Sequence, residues 1–190
     1  MKLSLRGGLA YLLATAVFLI LLITMGVFDP KPVGERIIAL PATSLRVSQP
    51  GQSIQWLDTP LPDGDFSVRA TAVFQEGTPD SGIGLALGGE ADTFVVAVSP
   101  LGYVLVQQAG ETVLPWQPWP HVRSDNASNE IWIDVRGQTV IVRLNREQLW
   151  QGNYLLSTRN IGLFGENFGE TAVYKIPALE IFARLKTNNQ

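Results

Sequence analysis

Residues 7–28 run GGLAYLLATAVFLILLITMGVF, 22 residues without a charged side chain. As a helix rising 1.5 Å per residue, the stretch spans about 33 Å, enough for a hydrocarbon core of about 30 Å. A chain carrying it is either held in a bilayer or loses it as a leader. A cleaved signal has an apolar core of about 7–15 residues and a small-x-small cleavage site. Here the core is longer, and Thr24-Met25-Gly26 is a poor site. The expectation is a retained anchor that contacts the lipid bilayer through residues 7–28. Lys2 and Arg6 precede it, which puts the N-terminus in the cytoplasm and the rest in a periplasmic or other extracytoplasmic space. The helix carries no Asp, Glu, Lys, Arg or His, so ion conduction and cofactor binding are not expected of it.

The chain has 14 basic and 17 acidic residues. Two of the basic ones lie before the apolar stretch, so 12 basic residues face 17 acidic ones after it, a balance of −5. No basic stripe is present, which argues against a nucleic-acid partner. Cysteine is absent, which excludes disulfides, thiolate metal sites and a cysteine nucleophile. No cofactor and no metal are expected. Four spans follow: a short cytoplasmic N-terminus with the anchor (1–28), a proline-containing linker (29–43), a folded domain (44–185) and a frayed tail (186–190).

Beyond the linker the periodicity is two. Phe66, Val68, Ala70, Ala72 and Phe74 share one face of a long strand, with Ser67, Arg69 and Thr71 on the other. Further strands are read at 83–87, 93–99, 103–108, 129–136, 138–144, 148–150, 160–165 and 171–184, parted by Gly, Pro and Asn. Residues 113–122, VLPWQPWPHV, hold three prolines and read as an irregular loop. The fold class is all-β, an antiparallel sandwich or barrel, behind a single N-terminal transmembrane helix.

Residues 137–149, GQTVIVRLNREQL, resemble the strand–turn–strand pattern of the laminin-G-like and concanavalin-A-like jelly rolls. Asn160-Ile161-Gly162-Leu163-Phe164 looks like the G-x-I-G-L strand that follows in that superfamily. The likeness spans residues 65–184 and is most like the bacterial branch related to 3-keto-disaccharide hydrolase domains. Arg146 stands where the family usually has Gly. The resemblance implies a jelly-roll β-sandwich. It does not choose among the lectins, glycosidases and protein-binding modules built on that fold.

Glu130, Trp132 and Asp134 alternate onto one strand face. Laminarinase-type glycosidases on this fold carry E-x-D-x-E there; this chain lacks the central carboxylate and has Asp at the far position. A covered hairpin face is the plain reading. Trp116, Trp119, Trp132 and Trp150, with Tyr103, are candidates for a carbohydrate platform, since aromatic rings suit such surfaces. The same tryptophans also serve for packing the sandwich, and Trp116 and Trp119 for docking on a protein or the membrane interface. His121 stands alone and makes a poor metal or catalytic site. Asp63, Asp65 and Asp80 admit a calcium reading, although DGD is also an ordinary turn. Asn126-Ala127-Ser128 matches the glycosylation sequon. Gly82 to Gly89 precedes no helix, so it is no phosphate loop.

The leading expectation is a non-catalytic accessory subunit held beside membrane-protein partners. A glycan-binding module is the alternative, and a glycosidase a remote third.

Overall fold

A computed structural model describes residues 5–184; Lys2 and the expected tail at 186–190 lie outside them. The chain divides into an N-terminal unit ending at Lys31 and a β-unit beginning at Pro32. In the first, α1 (Leu5–Thr24) is long and apolar enough to cross a membrane; its window Gly7–Thr24 has a mean hydropathy of 2.3 and no buried residue. Gly26 ends it. At φ +67° its N–H bonds to Ile23 O while Val27 N–H reaches back to Leu22 O, a Schellman cap, and Pro30 and Pro32 prevent resumption.

The second unit is an antiparallel sandwich of two sheets. The seven-stranded sheet contains β1 (Glu35–Leu40), β2 (Thr43–Val47), β4 (Phe66–Gly77), β9 (Asn129–Arg136), β10 (Thr139–Leu144), β11 (Glu147–Asn153) and β13 (Ala172–Ala183), in the order β1-β13-β4-β9-β10-β11. β2 follows β1 along the same edge of β13. The six-stranded sheet runs β3 (Gly51–Pro60), β12 (Asn160–Asn167), β5 (Ser81–Gly88), β6 (Phe94–Val98), β7 (Tyr103–Gln108) and β8 (Glu111–Pro118). The core lies between the sheets, where Phe66, Val68, Ile131, Ile133, Val142 and Leu144 of one meet Leu85, Phe94, Val96, Val106 and Leu163 of the other. The period-two pattern is what puts these residues on one face of each strand.

Three sequence expectations need correction. The span 29–43 is not all linker. Val33 is buried and β1 pairs with β13, because Ile38 and Leu40 have core to pack on and Arg36 finds Glu180 at 2.6 Å. The domain therefore starts at about Pro32, not at residue 44. Residues 113–122 are not wholly irregular: β8 takes them to Pro118. It is an edge strand, so its prolines need no partner on the open side, and register shifts opposite Val104–Gln107 absorb the misfit. β3 was not anticipated as a strand at all.

Arg146 forms a tight turn without glycine. Asn145 and Arg146 take φ +51° and +76° in the β10–β11 hairpin, the left-handed pair that a type I′ turn requires. Pro177, inside β13, sits where the register with β4 shifts between Lys175 and Ala178.

Candidate functional groove on the six-stranded sheet

The strands of the six-stranded sheet contain no Lys, Arg or His. All basic strand residues (Arg36, Arg46, Arg69, Arg136, Arg143, Lys175) belong to the other sheet. In β5, Ile83, Leu85 and Leu87 point into the core, which leaves Gly82, Gly84 and Ala86 for the outward face. Ala97 of β6 and Gly162 of β12 add to this floor of small residues. Around it Val95, Leu105 and Phe164 form a second apolar cluster, flanked by Ile54 and Trp56 of β3 and by Trp116 of β8.

Trp116 Nε1 donates to Glu166 Oε2 at 2.7 Å, and Glu166 Oε1 accepts from Gln52 Nε2 at 3.0 Å. β8 and β12 are separated by β7, β6 and β5. In a flat sheet they would lie about 19 Å apart, beyond the reach of two side chains, so this face is concave. The Trp116 ring rests on Gly82, where a Cβ would come within 2.4 Å of Cη2. The glycine is what lets the indole lie across the sheet.

Two recesses open on this face; Gln52, the other partner of Glu166, lines the first and Trp116 the second. The first, about 390 Å³, is lined by Trp56, Phe164, Gln52, Gln107, Thr93 and Glu90 among others. An indole wall, neutral amides, a hydroxyl and one carboxylate meet there without a cation. The second, about 340 Å³, is lined by Tyr103, Leu101, Phe168, Trp116, Ser99 and Asp80. Both fall within the usual range of small-ligand sites. Asp92 steadies the loop that carries Glu90 and Thr93. It accepts from Gly89 N at 2.8 Å, Ser157 N at 2.6 Å, Ser157 Oγ at 2.7 Å and Thr158 N at 2.8 Å. Burial pushes its pKa upward, but these hydrogen bonds outweigh burial and the net shift is downward.

The candidate residues read from sequence do not form one surface. Trp116 and Tyr103 are on the groove side. Trp150 packs on Phe94 at 5.5 Å between ring centroids, and Trp119 lies against the core with its Nε1 buried. Glu130, Trp132 and Asp134 occupy the outer face of the other sheet, and Trp132 and Asp134 are only 2% and 0% exposed. Trp132 is sandwiched by the guanidinium groups of Arg69 and Arg143, 5.8 and 5.7 Å from its ring centroid. Asp134 accepts from Ser67, Trp132 and Arg143. Its oxygens are thus committed to internal partners, and water-facing roles as sugar platform or glycosidase carboxylate do not suit Trp132 and Asp134; Glu130 is part-exposed and lines a separate recess.

Sequence reasoning missed Trp56. The signal was present, since Gln52, Ile54 and Trp56 alternate within 51–60. Among the described residues no group of three or more His, Asp or Glu side chains converges as a metal site. Asp63 pairs with Arg159 at 3.3 Å, and Asp65 accepts from Gly137 N at 2.9 Å. A third recess of about 480 Å³, lined by Thr71, Arg123, Ser128, Glu130, Asn145 and Arg146, is polar and has no aromatic wall.

No protein-family model matches the chain, and no curated protein matches its sequence. Solved structures share its fold. The carbohydrate binding module CBM66 from Bacillus subtilis is 12% identical, with a TM-score of 0.52 over 76% of this chain and 96% of that one. A functionally unknown protein from Saccharomyces cerevisiae is 6% identical, with a TM-score of 0.55 over 82% and 96%. The carbohydrate recognition domain of Emp46p, in metal-free form, is 9% identical, with a TM-score of 0.52 over 76% and 88%. At these identities the likeness is one of fold.

Proposed function

We propose that the protein is a non-catalytic glycan-binding module, tethered to a membrane by α1 and facing the extracytoplasmic side. The observation that carries the reading is the concave groove, in which the half-buried Trp56 offers an apolar face above the buried Phe164 and beside the amides of Gln52 and Gln107. Sugar rings present an apolar face and a polar rim, and a few placed polar groups beside an aromatic wall match both. The absence of cations from all six strands favours a neutral glycan over one bearing carboxylate, sulfate or phosphate. Two of the proteins of similar fold are named for carbohydrate binding or recognition, which agrees with this reading. The hydropathy of α1 and the basic residues Lys2 and Arg6 support the anchor and its direction.

The accessory-subunit reading rests on α1 alone, and we place it second. Titration of the full chain in detergent micelles with neutral glucan, mannan, galactan and fructan oligosaccharides tests the proposal. Binding that weakens tenfold or more in Trp56→Ala is expected. No binding to any of them, or equal binding by the variant, overturns it.

A further inference from the structure

We propose that Trp116 is a partition that ends the groove, and that the recess beyond it is a cut-off continuation of the same binding face. This rests on the glycan reading of the concave face and adds what sets the length of glycan engaged.

The partition has three supports. Trp116 comes from the edge strand β8, yet its Nε1 is fastened to Glu166 on β12 at 2.7 Å, so the indole crosses the face above β7, β6 and β5. Gly82 supplies the seat, because any side chain there would displace the ring. The first recess runs from Gln52, tied to Glu166, to Glu90, Thr93, Gln107 and Gly110 at the end of the sheet where β6 begins and β7 stops, and the second, lined by Trp116 itself, takes Ser99, Leu101 and Tyr103 from the end where β6 stops and β7 begins.

The far recess has the makings of a sugar subsite. Tyr103 and Phe168 are aromatic and 38% and 53% exposed, and Ser99 and Asp80 add polar groups. As on the rest of the sheet, no cation enters it. The hydrogen bond to Glu166, the gap at Gly82 and packing against the outer apolar cluster hold the bar in place. With the indole seated, a glycan fills the first recess and stops; with it displaced, the floor of small residues runs on to Tyr103 and Phe168.

The test uses calorimetric titration of the full chain in detergent micelles with neutral oligosaccharides of one to eight units from the glucan, mannan, galactan and fructan series. Gly82→Ala displaces the indole while adding one methyl group; Trp116→Ala removes it. In the wild type, affinity is expected to level off at short chains. In both variants it is expected to keep rising with length, reaching at least threefold above wild type for the longest chains. Two results overturn the partition and leave the glycan reading intact: wild-type affinity that climbs with length as steeply as that of the variants, or variants whose affinity changes equally at every length. Failure of the wild type and both variants to bind any of the sugars overturns both. Melting curves of the variants separate lost binding from lost folding, and either variant alone suffices if the other does not fold.

Discussion

Asp134 Oδ1 accepts a hydrogen bond from Trp132 Nε1 at 2.7 Å, two residues back on the same strand, and one from Ser67 Oγ at 2.5 Å on the neighbouring β4. Ser67 Oγ in turn accepts from the N–H of Val33 at 2.7 Å. A buried carboxylate thus ties the start of the β-unit to the centre of the seven-stranded sheet, with Arg143 neutralising it. Removing one partner from such a pair leaves an uncompensated buried charge, at a cost of about 3–5 kcal/mol. Asp134→Ala should therefore lower stability by about 3 kcal/mol in urea denaturation, and Asp134→Asn by less, since it keeps an acceptor. Neither should alter glycan affinity in molecules that remain folded, because the groove lies on the other sheet. A selective loss of binding without destabilisation would contradict this structural role.

This cluster also marks what the sequence could and could not say. The alternation of Glu130, Trp132 and Asp134 was legible, and it placed them correctly on one face. Alternation does not say which face is wet, and the face became dry because Arg69, Arg143, Ser67 and Val33 arrive from β4, β10 and the exit segment. The apolar helix α1, the long β4 and the β9–β10–β11 hairpins were readable because their hydrophobic pattern is local. The groove was not, because it depends on sheet order: Trp56 and Trp116 are 60 positions apart and meet one floor only when β3 and β8 become the two edges of one curved sheet. The strand at 83–87 was legible, but that its small residues face outward as a groove floor was not, for the same reason. Prolines hid β8, since a proline weighs against a central strand and says little about an edge.

The start of the folded unit gives a second prediction. A fragment beginning at Pro32 retains the Val33–Ser67 hydrogen bond, the β1–β13 pairing and the Arg36–Glu180 ion pair; one beginning at Ser44 loses all three and bares an edge of β13 from Leu179 to Ala183. The longer fragment should be monomeric and melt cooperatively. The shorter one should melt lower by several degrees and aggregate, as unpaired edges do. Size-exclusion chromatography with thermal melts decides it; equal behaviour would return β1 to the status of linker.

Acid should act through Glu180 and Asp92. Hydrogen bonds from Arg69, then Arg36, hold Glu180 below the usual carboxylate range against the burial that would raise it, and Asp92 is also lowered. A carboxyl depressed in the folded state adds stability that is fully present above its unfolded pKa, about 4, and is lost as pH falls through the folded value. Urea midpoints should therefore be flat from pH 7 to 5 and fall below 4. Glu180→Gln should cost about 1 kcal/mol at pH 7, a figure kept small because Arg36 is solvent-exposed, and should flatten the acid slope. An unchanged slope would show that these ion pairs do not report on folding.

Two glycines of β5 separate what the groove needs from what the fold needs. At Gly82 a Cβ would meet the far end of the Trp116 side chain, at 2.4 Å from Cη2, and a ring tip can swing away. At Gly84 it would meet the backbone of β6, at 1.9 Å from Val96 O and 2.7 Å from Ala97 Cα, and a central strand paired on both sides cannot move without breaking its ladder. Gly84→Ala should therefore destabilise by about 3 kcal/mol or more, within the range of severe steric substitutions. Gly82→Ala should cost about 1 kcal/mol or less, chiefly the lost Trp116–Glu166 hydrogen bond. Tryptophan emission should shift to the red in Gly82→Ala as the Trp116 indole leaves its seat. If the two substitutions prove equally costly, the Trp116 ring is as fixed as the backbone, and the bar across the groove is part of the core rather than a movable one.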